Sequence, residues 1–181
     1  VIRFVASPNA DSRPEGAEVE LLVLHAISVP EGEFSVRHVE ALFTNRLDPD
    51  VHPAFAALAS LRVSAHFLID RGGGITQFVP VAQRAWHAGK SCWRGRERCN
   101  DFSVGIELLG DAKTPFTEAQ YEAAARLARA LMARFPKLRR DCIVGHADIA
   151  PGRKWDPGPQ WDWQRFFALL DRMPPQELPI R

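Results

Sequence analysis

"LLVLHAI", Leu21–Ile27, decides the fold, because it reads as a strand with apolar side chains on both faces. A strand wet on one side alternates apolar with polar residues. A continuous Leu/Val run between turn-rich "ADSRPEGAE" (10–18) and "SVPEGE" (28–33) instead fits the interior of a sheet covered on both sides. The predicted strand spans Val19–Ile27, and His25 stands near its C-terminal end.

Three further stretches share this character. "AHFLIDRGGGITQFVP" (65–80) reads as two strands joined by a tight turn, for which Gly72–Gly74 supply positive φ. "FSVGIELLG" (102–110) is a strand with Glu107 inside it, and "CIVGHADI" (142–149) is a fourth apolar strand carrying His146. Amphipathic segments separate them. "TEAQYEAAARLARALMARFP" (117–136) opens with Thr117 and Gln120 at capping-box spacing. It repeats Tyr121, Ala124, Ala128, Leu131 and Phe135 near helical period and stops at Pro136. "VRHVEALFTNRL" (36–47) and "WDWQRFFALLDRM" (161–173) are helical segments of the same kind. Strands interleaved with helices, plus one hairpin, predict a single α/β domain: a mixed central β-sheet flanked by α-helices. Its core runs from about residue 18 to 173, and the tail "PPQELPIR" (174–181) is expected to lie loose.

The 181 residues carry 23 Lys plus Arg against 22 Asp plus Glu. No overall basic field exists to recruit nucleic acid or an anionic membrane, so charged partners must be met locally. No apolar run reaches the ~20 residues of a membrane span, and no signal peptide opens the chain. Cys92, Cys99 and Cys142 are odd in number and lack CxxC spacing, which argues against a disulfide framework and for a reducing cytoplasm.

"HADIAPGRKWDPGP" (146–159) crowds chemically capable side chains into a segment too rich in Pro and Gly to be helical. His25 and His146 each read, taken singly, as a core histidine bonded to a carbonyl. Both, however, end apolar strands, where α/β sheets gather ligand sites. Asp156 is either a turn residue before Pro157 or the third oxygen or nitrogen ligand that catalytic zinc takes. Lys154 is either solvated or, projecting with Asp156 from an extended segment, a cation for an oxyanion. Glu107 is a carboxylate inside an apolar strand, and an unpaired buried charge is costly. Either it pairs with an arginine or it works as a general base.

In several motifs the chain resembles the zinc-dependent N-acetylmuramoyl-L-alanine amidases, specifically their AmpD group, which acts on 1,6-anhydro-N-acetylmuramoyl peptides. "RVSAHFLI" (62–69), "RAWHAG" (84–89), "GRERCNDFSVGIEL" (95–108) and "GHADIAPGRKWDPGP" (145–159) carry the likeness in order, with "LLVLHAIS" (21–28) and "ALFTNRLDP" (41–49). The resemblance implies the fold shared with peptidoglycan recognition proteins and zinc (Zn2+) held by His25, His146 and Asp156. It implies Glu107 as catalytic carboxylate and Lys154 as transition-state cation. The substrate it implies is a small muropeptide, cut between the lactyl group and L-alanine in cytoplasmic recycling; a monomer is expected, and the charge balance gives no reason to expect a nucleic acid or membrane partner. Arg62 and Arg98 lie in matching motifs as candidates for the peptide carboxylates. Trp86 offers either a wall to the substrate or a core aromatic. Ala26 and Trp155 replace the Asn and Thr that the family commonly has. Two rivals are a module of the same fold that binds fragments without cutting, and an amidase acting on intact wall. A third is a structural zinc with a fourth ligand drawn from His38, His52, His66 or His87, of which His87 in "WHAG" is the one to inspect.

Overall fold

A computed structural model describes residues 1–181. In chain order its elements are β1 (Ile2–Phe4), β2 (Ala10–Ser12), β3 (Leu21–Ile27), α1 (Val36–Phe43), α2 (Phe55–Leu58), β4 (Phe67–Ile69), β5 (Ile75–Gln77) and β6 (Gln83–Ala85). They continue with β7 (Cys92–Trp93), β8 (Arg96–Glu97), β9 (Ser103–Leu109), α3 (Glu118–Arg134), β10 (Ile143–Gly145), α4 (His146–Ile149) and α5 (Trp163–Arg172). Six strands form the main sheet in the order β1-β5-β4-β9-β3-β10. Within this sheet only β4 and β5 pair antiparallel, so it is mixed, as the hairpin predicted. The turn between them closes on Asp70, whose Oδ1 accepts from the amides of Gly72 and Gly74, with Gly73 at φ +81°.

β3 lies inside the sheet and divides its side chains between two layers. Leu22 and Leu24 join Val104, Ile106 and Leu108 of β9 in the core under α3 and α5. Leu21 and Val23 face the other way, toward Ala88, Cys99, Phe102 and Ile149. Because successive side chains alternate, His25 shares the second face with Leu21 and Val23. Register then does most of the placing. His25 stands opposite Glu107 across the parallel β3–β9 ladder, and Gly145 stands opposite Leu24 on the other side. The residue after Gly145 is His146, so three of the five singled-out residues meet at one end of neighbouring strands.

α3 follows its sequence signal. The Thr117 hydroxyl accepts from the Gln120 amide at 3.2 Å while the Gln120 side chain accepts from the Thr117 amide at 3.1 Å. Tyr121, Ala124, Ala128 and Leu131 are buried. Thr117→Ala removes one half of this reciprocal cap and is expected to cost about 1 kcal/mol. An unchanged midpoint in chemical denaturation would show that the box contributes nothing.

Four expectations need correction. α1 ends at Phe43 rather than Leu47, because Asn45 takes a left-handed φ of 58° that no helix continues. α5 starts at Trp163, where the Asp162 side chain caps the Arg165 amide. The strand predicted to carry His146 stops at Gly145, and His146 opens a one-turn helix, so the segment's first four residues are helical after all. Asp148 Oδ2 accepting from the Gly145 amide at 2.7 Å starts that turn. The tail is tied back rather than loose. Arg181 exchanges hydrogen bonds with the Gln77 side chain and accepts from the Val81 amide, while Leu178 and Ile180 pack against the main core.

Candidate active site

His25, His146 and Asp156 converge. The two Nδ1 atoms are 3.0 Å apart, and Asp156 Oδ2 lies 3.2 Å from His25 Nδ1 and 3.3 Å from His146 Nδ1. All three residues are buried. Donors ~2.0–2.2 Å from a common centre at tetrahedral angles stand ~3.3–3.6 Å apart. The triangle is therefore close to the size that one zinc-like ion demands.

Protonation agrees. His146 donates from Nε2 to the Ala88 carbonyl at 3.0 Å, which leaves a lone pair on the Nδ1 that faces the triangle. Burial, ahead of the neighbouring His146, pushes His25 down to about 4, so this imidazole is neutral at pH 7. Burial works against the charge of Asp156, but with no metal bound the contacts of its Oδ2 with His146 and His25 hold its carboxyl below the usual range. Two imidazoles and one carboxylate are the donor set of a catalytic zinc site.

Short-range backbone contacts seat the loop. The Ala147 amide donates to the Asp156 carbonyl at 2.9 Å, which returns the chain to α4 after ten residues. Gly145 allows the return, since a Cβ there would lie 2.8 Å from Pro157 Cδ.

Glu107 sits beside this triangle, with Oε1 4.0 Å from His25 Nδ1. No arginine pairs with it, and Oε2 is buried without a hydrogen-bond partner. Burial, with the Asp156 charge adding, pushes its carboxyl well above the ordinary range, and the Lys154 cation pulls the other way. A carboxylate left so poorly solvated is a strong proton acceptor.

These residues line a cleft of about 250 Å³ together with Lys154, Trp86 and Trp155. Trp86 is half-buried in its wall, and its amide donates to Ser64 Oγ at 3.0 Å. Trp155 is 49% exposed, and its ring lies over Gly158, where a Cβ would come within 2.8 Å. The two arginines stay outside the cleft. Arg62 is exposed and turns its guanidinium onto the Ala59 and Leu61 carbonyls at 3.2 Å. Arg98 adopts a left-handed φ of 56° and points its side chain to solvent beside Asp101.

Of the spare histidines, His38 bonds the Val29 carbonyl, while His52 lies on the surface loop before α2. His66 is buried between the Gly105 amide and the Gln83 carbonyl. His87 does reach the site, but from behind: its Nδ1 is 2.8 Å from His25 Nε2, not from the Nδ1 that faces the triangle. It is no fourth ligand in this arrangement.

The profile of the N-acetylmuramoyl-L-alanine amidase family matches residues 15–159. A 1,6-anhydro-N-acetylmuramyl-L-alanine amidase, AmpD, of Enterobacter cloacae is 52% identical over 97% of this chain and 94% of its own length. The crystal structure of a selenomethionine AmpD derivative superposes with a TM-score of 0.90 at 53% identity, covering 93% of this chain and 94% of that one. The Escherichia coli amidase AmiD, solved in complex with anhydro-N-acetylmuramic acid-L-Ala-D-γ-Glu-L-Lys, matches at a TM-score of 0.62 and 33% identity. It covers 87% of this chain and 60% of AmiD.

Proposed function

The chain belongs to the N-acetylmuramoyl-L-alanine amidase family, and we propose from its cleft that it cuts soluble anhydro-muramyl peptides with zinc held by His25, His146 and Asp156. The reaction adds water across the amide between the lactyl carbonyl and L-alanine. The C–N bond breaks, and a lactyl carboxylate and a free amine result. One observation carries this reading: two Nδ1 atoms and one carboxylate oxygen meet within 3.3 Å, beside a buried carboxylate that has no other partner. When bound there, zinc supplies a Lewis acid that lowers the pKa of water toward ~7.

The protein's own groups do the rest. Glu107 takes a proton from the attacking water and returns it to the departing amine of L-alanine. Lys154, on the cleft rim, presents a positive charge to the oxygen that becomes negative as water adds. Trp86 and Trp155 offer flat apolar walls to the sugar ring and the stem peptide. Arg62 and Arg98 would meet peptide carboxylates only beyond the cleft, where both are exposed. A module that merely bound fragments would have no use for an unpartnered buried carboxylate beside three converging donors.

We place the reaction in cytoplasmic recycling. All three cysteines are free, as a reducing compartment allows, and no helix is long and apolar enough to cross a membrane. The protein acts as a monomer in this reading. Only Val1, Val51, Leu61 and Trp155 are large, hydrophobic and exposed, and two of these line the cleft, which leaves no apolar patch for a second copy. Offered anhydro-muramyl tripeptide and intact wall side by side, the purified protein is expected to release free peptide from the soluble fragment, and a chelator to abolish that release. Preference for intact wall, or hydrolysis indifferent to the chelator, would overturn the reading.

A further inference from the structure

Behind the donor triangle lies a buried histidine to which the hydrolysis just described gives no part. We propose that His87 is a positioning residue that holds His25 in the tautomer presenting its Nδ1 lone pair to the metal, and that Ser103 holds His87 in turn. This rests on the metal reading above and adds to it a pair of residues outside the donor triangle.

The two histidine ligands are oriented by different means. His146 donates from Nε2 to the carbonyl of Ala88. A carbonyl can only accept, so this ring has one tautomer available. His25 directs its Nε2 at 2.8 Å onto another imidazole nitrogen, His87 Nδ1, and an imidazole can present either a proton or a lone pair there. If His87 donated, the proton of His25 would be forced onto Nδ1, where it would point into the triangle and exclude a metal. For His25 to ligate, His87 must accept at Nδ1 and carry its own proton on Nε2. That nitrogen lies 3.0 Å from Ser103 Oγ, which can accept it. The relay therefore runs from His25 Nε2–H to His87 Nδ1, and from His87 Nε2–H to Ser103 Oγ.

The strand beneath is shaped for this ring. Ser103, Gly105 and Glu107 alternate onto one face of β9, and the middle position has no side chain. A Cβ on Gly105 would stand 2.5 Å from His87 Cγ and 2.6 Å from its Nδ1. Glycine inside a strand weakens it and often marks the close approach of another group; the group here is the His87 ring. His87 and His25 meet edge to face, at 90° with ring centroids 4.9 Å apart, which fixes both rings about the shared hydrogen bond. From the other end, Arg13 Nη2 donates to the Ser103 carbonyl at 2.9 Å and anchors the residue on which the relay ends.

Zinc affinity tests the relay apart from turnover. With a chromogenic chelator competing for zinc, H87A is expected to bind the metal ~10–100-fold more weakly than the parent protein, the usual cost of removing such an outer partner. H87Q, whose amide oxygen can still accept, should recover part of that loss. S103A leaves the ring packing in place and should weaken zinc by a smaller factor, so the relay stays testable if H87A does not fold. In the zinc-loaded parent, imidazole proton–nitrogen correlation spectra should show both His25 and His87 protonated at Nε2. Zinc bound by H87A and S103A within about twofold of the parent, or a His25 proton on Nδ1, would overturn the relay alone. A parent that binds no stoichiometric zinc would overturn the metal reading beneath it.

Discussion

Glu107→Gln is expected to lower kcat ~10²–10⁴-fold while zinc remains bound at one per chain, the loss typical of a positioned general acid–base group. The substitution preserves volume and removes the carboxylate that, in the proposed reaction, takes the proton. Glu107 lies outside the donor triangle, so the metal has no reason to leave. The register of β3 against β9 sets Glu107 beside His25, and its orphaned Oε2 shows that no structural partner is being lost. KM should change little, because in the proposed reaction the carboxylate acts on water rather than on the peptide. Turnover of the zinc-loaded variant near that of the parent would remove Glu107 from the mechanism.

The same variant has a predicted effect on stability with the opposite sign. Burial raises the Glu107 carboxyl above its ordinary 4.5, so between the unfolded and folded values the folded chain binds more protons than the unfolded one. Stability of the metal-free protein then falls as pH rises through that interval, and the cost is fully present above it. Glu107→Gln has no such cost. Metal-free E107Q is expected to melt above metal-free parent at pH 8, with the gap closing toward pH 4. A gap that stays constant over that range would mean that Glu107 is not buried as a charge.

Periodicity makes some of this site's residues legible in the sequence, while their roles, and the inclusion of Asp156 and Lys154, come from the family resemblance. Apolar runs such as Leu21–Ile27 announce buried strands, and polar residues at their ends or inside them, His25, His146 and Glu107, stand out because burial makes them costly. Sheet order and register are not local properties. Nothing in Ser103–Leu109 alone says that β9 neighbours β3, and without that neighbour Glu107 and His25 are unrelated. Arg62 and Arg98 show the limit from the other side. Their motifs say where the family keeps arginines, but a surface guanidinium settles on whichever carbonyl or carboxylate is near, here Ala59, Leu61 and Asp101. The one-turn helix at His146 and the docked tail depend on single contacts, Asp148 to the Gly145 amide and Arg181 to Gln77, too small to register in composition. For His87, which the sequence offered only as a fourth ligand, the signal of its place beneath the site is the glycine of "SVGIEL", since a Cβ on Gly105 would stand 2.5 Å from the ring.

Asp156→Asn is expected to reduce hydrolysis to background by removing the metal, which separates it from Glu107→Gln. The amide keeps the shape of the side chain but lacks the negative charge, leaving two neutral imidazoles to hold a divalent cation. Since loss of an outer-shell partner alone costs ~10–100-fold in affinity, loss of the only charged ligand should exceed ~100-fold. Binding the folded chain alone, zinc is expected to raise the melting temperature of the parent; the variant should show no such rise at the same concentration. The metal-free proteins then supply an independent check. Burial disfavours the Asp156 charge, but His146 and His25 hold its carboxyl below the usual range. The folded chain therefore binds fewer protons than the unfolded one as pH falls past 3.8, and stability present above that pH is lost below it. Asp156→Asn forfeits that stability at neutral pH, whereas Glu107→Gln recovers some. Two carboxylates on one cleft, one held charged for a metal and one pressed toward neutrality for proton transfer, should thus give melting shifts of opposite sign at pH 8. Shifts of the same sign would mean that the two environments are not opposed, and the division of roles between them would fall.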